Sequence, residues 1–150
     1  MVKLIAVSAC LVGVNCKYDG GNNDNSKVKE YLKDKKYIII CPEQLGGLTT
    51  PRKPSEIKKI GGKEVLNGNS KVISCEGKDV TENFIMGAME SLKIAKLFNC
   101  RQALLKEGSP SCGCNLIYDG TFQHKKISGM GVTAALFDEN NIEVFSEKEL

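Results

Sequence analysis

The chain has no tryptophan and a single histidine, and only 6% of its residues are aromatic. With so few rings, no stacking platform for single-stranded nucleic acid is evident. The one histidine, His124, sits among lysines and reads as solvated, which excludes a Cys/His pair of the protease kind. Charge of one sign is also scarce. Twenty-one Lys and Arg against 18 Asp and Glu leave +3 on 150 residues, too little to favour nucleic acid or a membrane surface as a partner. No apolar run has membrane-spanning length. Lys3 and the residues up to Cys10 imitate a lipoprotein signal, but the apolar stretch before Ser8 is shorter than the ~7–15 residues of an export signal. The expectation is a cytoplasmic protein, and the sequence sets no oligomeric state.

Cysteine is what the chain has in excess. Seven in this length is high, and the odd number excludes complete intramolecular pairing. Runs such as Tyr37-Ile38-Ile39-Ile40 argue against a loop-rich disulfide scaffold, so a reducing compartment is expected, with some thiols reserved for metal or catalysis. The C-x-x-C spacing of a zinc ribbon is absent. Cys10 and Cys16 are spaced C-x5-C, and Cys112 and Cys114 are spaced C-x-C.

The pattern predicts a single α/β domain over residues 1–150: a three-layer α/β/α, Rossmann-like fold with a mainly parallel sheet of about four strands. Strands are expected at 3–8, 37–41, 102–106 and 142–145, and helices at 25–35, 82–98 and 132–138. Residues 37–40 read as a strand buried on both faces, ended at Cys41 by Pro42. Residues 49–69 read as irregular and 71–74 as a short edge strand. The order β-α-β-insert-α-β-insert-α-β implies right-handed crossovers. Tyr-Asp-Gly occurs at 18–20 and again at 118–120, which reads as two similar turns rather than a repeat.

In such a sheet the carboxyl ends of the strands share one side, where ligands bind. Strand one ends near Cys10, strand two at Cys41, and strand three opens into the segment holding Cys112 and Cys114. Three cysteines from distant parts of the chain therefore converge on one crevice. Soft thiolates suit zinc or an iron–sulfur cluster. A closed four-thiolate zinc site would need Cys16 or Cys114 to join. Three thiolates on separate strand ends suit a cluster with one iron free of protein ligand, and such an iron is a Lewis acid. A thiol-based redox or sulfur-carrier protein working through Cys112 and Cys114 is a further alternative.

Several motifs also carry a family resemblance. Ser8-Ala9-Cys10-Leu11-Val12-Gly13, Cys16-Lys17-Tyr18-Asp19-Gly20, Cys41-Pro42-Glu43-Gln44 with Gly46-Gly47-Leu48, Pro51-Arg52 and Ser109-Pro110-Ser111-Cys112-Gly113 resemble the motifs of the bacterial domain-of-unknown-function family 523. Tyr118-Asp119-Gly120-Thr121-Phe122 and Gly131-Val132-Thr133-Ala134-Ala135-Leu136 match as well. Gly108 stands where the family motif often has Arg. Members of that family include thiouracil desulfidases, which use a [4Fe-4S] cluster held by three cysteines. The resemblance implies non-redox desulfuration of a small thiolated substrate such as 2-thiouracil: sulfur binds the free iron, water replaces it at carbon, and hydrogen sulfide leaves. It implies Cys10, Cys41 and Cys112 as ligands, with Cys16 the rival third. Glu43 would be the proton carrier, and Ser109 would bond the substrate or hold Glu43.

Plainer readings stand beside these. Glu43 would also serve as a helix or turn cap, and Ser109 as a turn former. Arg52 would grip a substrate or an acidic neighbour. Cys75 and Cys100 read as buried thiols packed as small hydrophobes, and Cys114 as a spare thiol or one supporting the site. Residues 53–63 read as a solvated basic face. Residues 129–131 read as free N–H groups able to receive an anion or a carbonyl oxygen.

Overall fold

The computed structural model describes residues 3–150. Strand β1 (Ile5–Ser8) passes through a 3-10 turn (Ala9–Val12) and a long loop into helix α1 (Ser26–Leu32). Asn25 caps α1, its side chain accepting the N–H groups of Lys27 and Val28. Strand β2 (Tyr37–Ile40) runs straight into the short helix α2 (Pro42–Leu45), with proline at the position where a missing N–H costs nothing. Then come β3 (Ser55–Ile57), α3 (Gly62–Leu66), β4 (Val72–Ser74) and the long α4 (Thr81–Leu97). The chain ends with β5 (Gln102–Leu105), β6 (Leu116–Tyr118), β7 (Lys126–Ser128), α5 (Val132–Glu139), β8 (Glu143–Ser146) and a closing 3-10 turn.

The central sheet has the order β2-β1-β5-β8 and is parallel throughout. Alternation along β1 sorts the two faces. Ile5 and Val7 pack with Val28 and Leu32 of α1 and with Leu104, whereas Ala6 packs with Ala95, Ala134 and Phe137 of α4 and α5. Helices therefore cover both faces, as the sequence pattern predicts. From β1 the chain goes first to β2 on one side and later to β5 on the other. That reversal opens a crevice at the carboxyl end of β1.

Four expectations need correction. β2 is an edge strand, not one buried on both faces. Tyr37 and Ile39 remain 41% and 47% exposed, because they pair with Ile5 and Val7 on the face where α1 packs over β1, β5 and β8 and leaves β2 uncovered. Residues 72–74 do not border the central sheet; they pair antiparallel with β3 in a separate ribbon. Residues 49–69 are not wholly irregular, since β3 and α3 fall within them. Nor is 53–63 a solvated face. Ile57 is buried, and the buried Glu56 carboxylate accepts the N–H groups of Gly120 and Phe122 at 2.9 and 3.2 Å. The two Tyr-Asp-Gly turns are alike, as expected: Asp19 Oδ1 accepts the Gly21 N–H and Asp119 Oδ1 accepts the Thr121 N–H.

Candidate functional site

Three segments meet at the crevice. Cys10 lies in the 3-10 turn that ends β1. Cys41 is the extended residue (φ −128°) between β2 and α2, as expected of a residue before proline. Cys112 lies in the loop after β5. Burial pushes its thiol up to about 12, the Ser8 side chain opposes the rise, and charge on Cys10, Glu43 and Cys41 adds to it. The thiol of Cys10 is likewise raised, first by burial and then by charge on Cys41 and Glu43. Each of the three is thus close enough to sense the other two or their shared carboxylate. Among the described residues, no three Cys, His, Asp or Glu side chains crowd around a single ion position.

Cys41 is the thiol most ready to ionise. The neighbouring Cys16 side chain brings it down to about 7 against the penalty of burial, with the Gln44 N–H helping. The Cys16 thiol is correspondingly raised and buried. Cys16, the rival third ligand, lies beside Cys41, whose sulfur is 3.9 Å from the Cys16 carbonyl.

Glu43 occupies the first turn of α2 and is held by Arg52, not by Ser109. Arg52 Nε donates to Glu43 Oε2 at 2.9 Å. The remaining guanidinium donors reach the Cys16 carbonyl (2.9 Å), the Thr50 hydroxyl (3.0 Å) and the Thr49 carbonyl (3.2 Å). The Arg52 N–H donates to the Tyr18 carbonyl at 2.7 Å. One buried fork therefore joins the loop after Cys10, the helix after Cys41 and the segment at 49–52. A cleft of about 580 Å³ opens beside it, walled by Tyr18, Leu48, Thr49, Pro51 and Arg52 among others, with no described thiol in its wall.

Ser109 works within its own loop. Its Oγ accepts the N–H groups of Ser111 and Cys112, both at 3.0 Å. The loop then docks on the start of α5. Gly131, Val132 and Thr133 donate their N–H groups to the carbonyls of Gly113, Pro110 and Ser111, and Gly129 donates to Asn115. The N–H groups at 129 and 131 are therefore not free for a foreign anion; the cysteine loop already uses them. A buried hydroxyl pair, Ser111 with Thr133 at 2.8 Å, completes the seam.

Composition and spacing gave no hint of Glu107. One oxygen of this buried carboxylate accepts the N–H groups of Cys114 (2.9 Å), Asn115 (2.9 Å) and Leu116 (3.0 Å), and the other accepts from the Asn115 amide. Burial opposes its ionisation, but these donors outweigh burial and hold it below the ordinary glutamate range. Asn23 was missed too: its Nδ2 donates to Cys10 Sγ at 3.4 Å. A run of four Asx residues, 22–25, was the available signal, though only Asn25 could be given a task from it. Cys114 is buried with its sulfur 3.6 Å from the Cys112 carbonyl. Cys100 is buried as expected, whereas Cys75 is exposed and does not pack as a hydrophobe. His124 is exposed, as expected.

Three comparisons bear on this site. The 2-thiouracil desulfurase family model matches residues 5–149. The uncharacterised protein YbbK of Bacillus subtilis (strain 168) is 47% identical over 147 residues, spanning 98% of this chain and 97% of that protein. A solved structure, that of the [4Fe-4S]-dependent thiouracil desulfidase TudS, is similar at a TM-score of 0.85 and 39% identity, over 99% of this chain and 93% of that one.

Proposed function

The chain belongs to the 2-thiouracil desulfurase family, and on that premise we propose that it is a [4Fe-4S]-dependent desulfidase. It removes sulfur from a small thioamide such as 2-thiouracil and releases hydrogen sulfide and the oxo product. The observation that carries this reading is that Cys10 and Cys41 follow the carboxyl ends of the adjacent strands β1 and β2, with Cys112, in the loop after β5, within electrostatic reach of Cys10, Cys41 and Glu43. The donor set fits the group. Three soft thiols arrive on three separate segments, a donor set that suits a cluster whose irons each take one thiolate. When bound, the cluster supplies a Lewis-acidic iron, free of protein ligand, for the substrate sulfur.

The chain's own residues supply the rest. Glu43 carries the proton, taking it from water as water adds to the thiolated carbon and giving it to the departing sulfur. Arg52 occupies Oε2, so Oε1 is the oxygen assigned to this transfer. Ser109 Oγ accepts two N–H bonds, which leaves its own hydrogen to donate to the substrate. Thiols kept reduced suit a cytoplasmic setting, and no described helix is long and apolar enough to cross a membrane.

The test is anaerobic reconstitution of wild type and of Cys10→Ala, Cys16→Ala, Cys41→Ala and Cys112→Ala, with iron, acid-labile sulfide and visible spectra measured. Conversion of 2-thiouracil to uracil and sulfide is followed in parallel. The expected result is a cluster kept in Cys16→Ala, lost in the other three, and required for turnover. Stoichiometric zinc without iron uptake overturns the reading.

A further inference from the structure

We propose that Asn23 sets the electron-accepting strength of the bound cluster by donating a hydrogen bond to a ligand sulfur, that of Cys10. The inference rests on Cys10 being a cluster ligand.

Asn23 stands thirteen residues beyond Cys10, yet the chain returns it to the sulfur. Its N–H donates to the Cys10 carbonyl at 3.0 Å, and the Asn25 N–H donates to the Leu11 carbonyl at 3.1 Å. These two backbone bonds lay the Asx run along the turn that carries Cys10. Asn25 then caps α1, which fixes the far end of the run. Asn22 accepts the Asp24 N–H and donates to Asn15 at 2.8 Å, bracing the loop from the other side. The Asn23 amide is therefore pre-placed, and its 3.4 Å contact with sulfur needs no further ordering of the chain.

A hydrogen bond to a thiolate withdraws electron density from its bond to iron. This raises the reduction potential of the cluster and makes the iron free of protein ligand a better acceptor for a soft sulfur. For a desulfidase, that is the quantity that decides how tightly the thiocarbonyl is drawn in. The donor is neutral, so it tunes the sulfur without adding charge to the crevice.

The experiment compares wild type with Asn23→Ala, Asn23→Leu and Asn23→Asp after anaerobic reconstitution. The readouts are iron and sulfide content, the midpoint potential, and kcat/KM for 2-thiouracil. The expected result is wild-type cluster content with a more negative potential in Asn23→Ala. Asn23→Asp, which replaces a donor by an anion, should move further in the same direction. kcat/KM should fall about 10-fold in Asn23→Ala, the size usual for groups that hydrogen-bond metal ligands. If a variant fails to hold a cluster, the potential is read on the others. Unchanged potentials in every loaded variant overturn the inference while the desulfidase reading stands. A wild type that takes up no cluster overturns both.

Discussion

Arg52 and Glu43 form an ion pair at 2.9 Å in which the arginine side chain is 8% exposed and the glutamate 20%. Because the same guanidinium also meets Cys16, Thr49 and Thr50, it fixes the carboxylate relative to three segments at once. Lysine offers a point charge in place of this fork. Arg52→Lys should therefore keep the charge but lose the geometry, lowering kcat at least 10-fold with little change in stability. Arg52→Ala should also cost about 2 kcal/mol in denaturant unfolding, the scale of a hydrogen bond to a charged group. Full activity in Arg52→Lys would show that placement of Glu43 does not depend on the fork.

Glu43→Gln keeps the shape of the side chain and removes its ability to take a proton. The expected outcome is a reconstituted protein with wild-type iron and sulfide that turns over 2-thiouracil at least 100-fold more slowly, within the range general acid–base catalysis contributes. Sulfide release at the wild-type rate would take Glu43 out of the mechanism.

Glu107 makes stability depend on pH in a defined direction. Its pKa in the folded protein is depressed, so the ionised carboxylate stabilises the fold fully at neutral pH. That contribution declines as pH falls from the unfolded glutamate value of about 4.3 through the lower folded value, and below both it is gone. Glu107→Gln presents an amide to N–H groups that need an acceptor. It should lose about 2–3 kcal/mol at pH 7 and show a shallower decline between pH 5 and 3. Denaturant midpoints across that interval, for both proteins, make the comparison.

Helix α2 reaches its position through a close backbone approach to α4. A Cβ placed on Gly87 would collide with the Pro42 carbonyl, and one on Gly46 would collide with the Asn83 carbonyl. The Asn83 amide donates to the Gly46 carbonyl at 2.9 Å, locking the contact. Alanine inside a helix ordinarily gains up to ~1 kcal/mol over glycine, but here overpacking against backbone costs about 1–3 kcal/mol. Gly87→Ala should melt lower and, because α2 carries Glu43 and follows Cys41, should load less iron. A higher melting temperature would show that α2 can move aside without cost.

What the sequence determined by itself is the set of elements whose signals are local. Apolar runs, Pro42 after Cys41 and helical spacing in 82–98 mark strands and helices because each depends on neighbours a few residues away. The order of these elements then determines a parallel sheet, and the sheet brings Cys10, Cys41 and Cys112 to one end. The motifs carried the rest of the cluster reading. Tertiary structure alone decided which strand lies at the edge, and hence why Tyr37 and Ile39 are exposed: coverage depends on where α1 packs, not on what β2 contains. It also decided the partners of the buried polar groups. Arg52 finds Glu43, Glu107 gathers the N–H groups of 114–116, Glu56 reaches across to 120–122, and Asn23 returns to Cys10. A buried charge or amide must be satisfied wherever the packed chain supplies a partner, and that partner leaves no periodicity or spacing along the sequence by which to find it.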